Sequence, residues 1–136
     1  MKNTLLIKNE LGQLALVYPF IERETIRAGL NESLQKQVKL ALEEAVTNVI
    51  LYAYPDKKDQ DISIDLSVAD SRLKIDITDI GLPFNPLKKE APDVTLSDEE
   101  RPIGGLGIFL VIQLMDDVQY HRLAGKNVLT MIKNIR

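Results

Sequence analysis

The 136-residue chain carries 17 Lys and Arg against 20 Asp and Glu, a net charge of −3, so it has no general basic field to hold a nucleic-acid backbone or an anionic membrane. Cysteine is absent and His121 is the only histidine, which excludes disulfides, thiolate nucleophiles and multi-histidine metal sites. The length and the 45% apolar content suit one domain, residues 1–136, around a single core. Uncharged stretches such as Leu11 to Ile21 and Gly104 to Met115 fall short of the roughly 20 residues that span a bilayer. No export leader precedes Thr4-Leu5-Leu6-Ile7, so a cytoplasmic location is expected.

Along the chain, Thr4 to Ile7 and Leu14 to Val17 flank Glu10-Leu11-Gly12-Gln13, a turn-like composition that predicts a hairpin of two strands. Pro19 then opens a helical segment, Phe20 to Leu30, which Gly29 ends. Asn31 is the expected N-cap of a long helix whose apolar stripe runs Leu34, Val38, Ala41, Leu42, Ala45, Val46, Val49, Ala53 and stops near Pro55. Ile62, Ile64, Leu66 and Val68 alternate with polar residues, as do Leu73, Ile75 and Ile77, predicting a half-buried hairpin across Ala69-Asp70-Ser71-Arg72. Between Pro83 and Pro102 stand four prolines and eight charged residues with no period, a loop of about twenty residues inside a compact domain and thus a lid or a disordered segment. Gly104, Gly105 and Gly107 precede the apolar run Ile108 to Met115, a short buried helix. Val118 to Leu123 and Val128 to Ile132, joined by Ala124-Gly125-Lys126-Asn127, close the chain as a hairpin.

Three features carry chemistry. Glu44 and Asn48 stand four apart in the long helix and so project from one face; such pairs are also common on solvated helices. Asp79 continues the inward parity of Leu73, Ile75 and Ile77, which makes it either a buried carboxylate in need of a partner or the cap of a turn. Gly104-Gly105-Leu106-Gly107 ahead of a helix can gather backbone N–H groups around an anion at the positive end of the dipole, or serve only as a hinge. It lacks the Lys-Ser/Thr ending of a P-loop and does not follow a first strand as a dinucleotide fingerprint does.

In order, Glu44-Ala45-Val46-Thr47-Asn48, then Asp79-Ile80-Gly81-Leu82-Pro83-Phe84-Asn85-Pro86, then Gly104-Gly105-Leu106-Gly107-Ile108 resemble the histidine-kinase-like ATPase superfamily. Within it they look like the stand-alone anti-sigma factor serine/threonine kinases of bacterial partner-switching systems, and the resemblance covers nearly the whole chain. It implies a Bergerat-type fold: a two-layer α/β sandwich with a mixed, mostly antiparallel sheet, about three helices on one face and an ATP lid over residues 83–103. It implies ATP with Mg²⁺, Asp79 accepting the adenine amino group and Gly81 letting the base lie against backbone. Asn48 would ligate the metal, Glu44 would be the general base on a serine hydroxyl, and Gly104, Gly105 and Gly107 would wrap the phosphates. Thr130 would reach the adenine through water, and Arg101 would touch the γ-phosphate or remain solvated.

Two positions depart from the family pattern. Pro83 replaces the second glycine of Asp-x-Gly-x-Gly, stiffening the start of the lid, and Tyr52 stands where many relatives have a histidine or a basic residue. The expected partners are a sigma factor and a STAS-type antagonist protein, with no direct nucleic acid and no membrane; a homodimer is left open. The rival reading is a nucleotide-binding interaction module of the same fold without kinase activity.

Overall fold

The computed structural model describes residues 2–88 and 105–135. The first strand, β1 (Lys2–Lys8), leads through a 3-10 turn at Leu11–Gln13 into α1 (Leu14–Arg27) and α2 (Glu32–Tyr52). The hairpin β2 (Asp61–Ala69) and β3 (Arg72–Asp79) follows, then a 3-10 turn at Pro86–Lys88, α3 (Gly105–Leu114), and the closing hairpin β4 (Asp117–Leu123) and β5 (Lys126–Asn134). The sheet order is β1-β2-β3-β5-β4. Its four pairings are all antiparallel, which narrows the expectation of a mixed, mostly antiparallel sheet.

Period 2 decides the layers. Ile62, Ile64, Leu66, Leu73, Ile75, Ile77, Leu129 and Met131 share one face and are buried with Val17, Phe20 and Ile21 of α1, Val38, Leu42, Ala45 and Val46 of α2, and Ile108 and Val111 of α3. Ser63, Asp65, Ser67, Lys74 and Asp76 turn to the other face and remain partly or fully exposed. The three helices therefore cover one side of the sheet.

The segment Leu14–Val17 is helical, a correction to the expected second strand. Leu14, Val17, Phe20 and Ile21 recur at helical spacing and face the core, while Leu16 is 47% exposed. The pairing partner of β1 is instead β2, with Lys8 opposite Asp61. Pro19 lies inside α1 rather than at its start; it sits on the exposed side, where water can satisfy the carbonyl that loses its amide partner.

The ends of α1 and α2 follow their residues. Gly29 adopts φ +84°, and the bonds from Leu30 N to Thr25 O (3.1 Å) and from Gly29 N to Ile26 O (3.0 Å) close a Schellman cap. Asn31 accepts the amide of Leu34 at 2.9 Å, capping α2 as expected. Both hairpins close over two residues with positive φ, Asp70-Ser71 and Ala124-Gly125, the backbone that matches the strand twist. That shorter turn puts Lys126 and Asn127 inside β5 instead of in the connection.

Candidate nucleotide site

The long helix α2 presents Glu44 and Asn48 one turn apart. Asn48 is 3% exposed and lines a cleft with Ala45, Val49, Ile77, Asp79, Phe84, Tyr120, Asn127 and Leu129. Its Oδ1 is fully buried and has no hydrogen-bond partner. Leaving such an acceptor unpaired costs about 1–3 kcal/mol, so the fold keeps at the cleft a polar atom that a bound group would satisfy. Glu44 is half-buried, and burial, followed by the charge of Glu43, raises its carboxyl above the usual value. Glu43 points toward α1, where it accepts the Tyr18 hydroxyl at 2.6 Å.

Asp79 ends β3 on the apolar parity and is 4% exposed, so it is a buried carboxylate and not only a turn cap. Its Oδ1 accepts both the amide of Gly81 and Nδ2 of Asn127, each at 2.9 Å. Burial raises its pKa, while Asn127, Gly81 and the Arg122 charge pull it back. The residues beyond Asp79 are pinned from several directions. Ile80 N donates to the Tyr54 hydroxyl (2.7 Å), Leu82 N to Ala53 O (2.9 Å), and the Arg122 guanidinium to Gly81 O (2.8 Å).

Gly81 has a packing reason of its own beside the expected one. A Cβ there would collide with the carbonyl oxygen of Ala53 and stand 2.7 Å from its carbonyl carbon, so the end of α2 is what demands glycine. At Gly107, in the first turn of α3, an added Cβ would lie 2.5 Å from Oε2 of Glu44. Gly105 is the first residue of the same helix, where backbone N–H groups lack intrahelical acceptors. Gly104, Arg101 and residues 89–103 of the expected lid lie outside the described residues. Phe84, at the foot of that segment, stacks on Tyr52 with ring centroids 5.4 Å apart.

Thr130 does not join this cluster. It pairs with Asp76 across β3 and β5 and donates to the Asp76 carboxylate at 2.5 Å on the face away from the helices. The residue that β5 does bring to Asp79 is Asn127, 3% exposed and bonded also to Leu82 O (2.7 Å) and to the Tyr120 hydroxyl. A signal for it existed: Asn127, Leu129 and Met131 alternate, so Asn127 is a polar residue on a buried parity, as Asp79 is on β3.

The cleft thus offers a buried carboxylate acceptor, an unsatisfied amide oxygen and, one helical turn away, a carboxylate of raised basicity beside a helix N-terminus. No group of three or more His, Asp or Glu able to hold a metal ion occurs among the described residues, and none of their helices is long and apolar enough to cross a membrane. A cation here would rest on Asn48 together with oxygens of its own ligand, which suits a metal carried in on phosphates.

Residues 7–133 match the histidine kinase-like ATPase domain family. The serine-protein kinase RsbW of Listeria monocytogenes serovar 1/2a is 33% identical over 106 residues, 75% of this chain and 68% of that protein. RsbW of Bacillus thuringiensis is 35% identical over 98 residues, 69% of this chain and 61% of that one. Among solved structures, that of the RsbU and RsbW domains of Rv1364c from Mycobacterium tuberculosis superposes over 98% of this chain and 32% of its own, with TM-score 0.68 at 14% identity. A blue-light activated histidine kinase of Erythrobacter litoralis superposes over 89% of this chain and 41% of its own, with TM-score 0.61 at 12% identity. These two share the fold, while the sequence relatives and the family match reach further: the chain belongs to the histidine kinase-like ATPase family, among the relatives of the serine-protein kinase RsbW.

Proposed function

We propose that this chain is a cytoplasmic, ATP-dependent serine kinase that sequesters a sigma factor and phosphorylates a serine of a STAS-type antagonist protein in a partner-switching system. The observation that carries the reading is the orphaned Oδ1 of Asn48, buried in the cleft that Asp79 also lines. A buried acceptor without a protein partner fits a hard cation bound to phosphate oxygens. The serine-kinase names of the sequence relatives supply the acceptor class.

In this reading Asn48 would hold Mg²⁺, which when bound neutralises phosphate charge. Asp79 receives the exocyclic amine of adenine. Gly104, Gly105 and Gly107 would supply backbone N–H groups to the phosphates, and Arg101 would be a further phosphate contact. Glu44 takes the proton of the incoming serine hydroxyl, and the burial that raises its pKa brings it closer to the range where a general base is effective.

The test incubates the purified chain with Mg²⁺, labelled ATP and the small proteins that co-purify with it. Transfer of label to serine of a partner is the expected result. Nucleotide binding with no transfer to any of them favours the interaction module; absence of nucleotide binding overturns both.

A further inference from the structure

Asn127 stands opposite Asp79 in the β3–β5 register. One of its N–H groups goes to Asp79 Oδ1 (2.9 Å), the other to the carbonyl of Leu82 (2.7 Å), and its Oδ1 accepts from the Tyr120 hydroxyl. A primary amide has two donors and one carbonyl, and here each has its own partner. Turned over, the amide would set its oxygen against the carboxylate and the Leu82 carbonyl together. Three contacts from three segments therefore fix its orientation.

That orientation decides what Asp79 can offer. Its Oδ1 already accepts from Asn127 and from the Gly81 amide, while Oδ2 has no hydrogen-bond partner among the described residues. Oδ2 is then the acceptor left at the cleft. We propose that Asn127, anchored by Tyr120, is a positioning residue for base selection, holding Asp79 so that a 6-amino purine is accepted and a 6-oxo purine refused. The inference rests on the nucleotide reading above.

The physical reason is acceptor geometry. An exocyclic amine donates to the carboxylate, whereas an oxo group sets two acceptors face to face, and a site that holds its polar group rigid rejects such a mismatch strongly. Without Asn127 the carboxylate keeps only the Gly81 amide, turns about its Cβ–Cγ bond and swings aside from an oxo group. The base preference then falls even where overall affinity survives.

Titration calorimetry with ADP and IDP, which differ at this amino or oxo position, tests it on the full chain in Mg²⁺. The ratio of the two dissociation constants in Asn127→Ala is expected to shrink about tenfold, the loss of one hydrogen bond to a charged group. Tyr120→Phe, which removes a single oxygen, should shrink it several-fold. Equal weakening of both nucleotides, with the ratio kept, is what a merely structural role would produce and overturns the proposal. Where Asn127→Ala fails to fold, the Tyr120→Phe ratio decides in the same way. Failure of the unsubstituted chain to bind ADP is a different result, and it overturns the nucleotide reading together with this inference.

Discussion

Oε2 of Glu44 occupies the place that a side chain at position 107 would need: a Cβ on Gly107 would stand 2.5 Å from it. The tip of a flexible side chain can yield, so Gly107→Ala should fold, with a stability change within about 1 kcal/mol. The carboxylate, however, must leave its place beside α3. Phosphoryl transfer should drop by about 10–100-fold, since small misplacements of a reacting group weigh heavily on rate, with nucleotide affinity much less affected. Single-turnover kinetics and calorimetry on the same variant separate the two.

Glu44→Gln keeps the shape and removes the basicity. Nucleotide binding should persist while transfer falls by about 10²–10⁴. The same variant has a stability signature. Because burial and Glu43 raise the Glu44 pKa in the folded chain, the folded state binds that proton more tightly than the unfolded state. Its stabilising contribution is present below the ordinary carboxylate range and lost as pH rises through the raised value. The glutamine variant should therefore melt higher than the parent near neutral pH, and the gain should vanish at acid pH.

Gly81→Ala sets a methyl against the backbone of Ala53, which cannot rotate away. The expected cost is about 2–3 kcal/mol or more, read as a lower denaturation midpoint with an unchanged slope. Gly12→Ala meets nothing within 4 Å and should stay within about 0.5 kcal/mol.

For Asn48→Ala the two states respond in opposite ways. Removing an unpaired buried oxygen offsets the packing lost, so the melting temperature of the ligand-free chain should change little. The rise that Mg-nucleotide gives the parent, which grows as RT ln(1 + [L]/Kd), should largely disappear. Chelation of Mg²⁺ from the parent should reproduce that loss, and a full ligand-induced rise in Asn48→Ala would contradict the metal assignment.

Much of this architecture was legible because its periods are long. The stripe of α2 and the alternation of β2 and β3 each repeat often enough to exclude the other period, and the parity of Asp79 placed it inside. Leu14 to Val17 suits either element as four apolar residues, and only the helical spacing that carries Leu14, Val17, Phe20 and Ile21 into one core decides. A family resemblance points to the strand region of Thr130 but not to its face, which the register with Asp76 sets. Gly81 was legible as special, but the neighbour that makes it so, Ala53, is distant in sequence and adjacent only in the fold.

The two tight hairpins have a kinetic consequence. β2–β3 and β4–β5 close over two-residue turns, a step on the microsecond scale, whereas β1 must find β2 across two helices and β3 must find β5 across α3. Asp79 and Asn127 belong to different hairpins and meet only when these dock, so this pair is expected to form late in folding. Ligand contacts made at such late-forming positions act on the unfolding arm of a chevron. A bound nucleotide should slow unfolding while leaving the refolding rate nearly untouched, which makes occupancy a brake on loss of the chain rather than an aid to its formation.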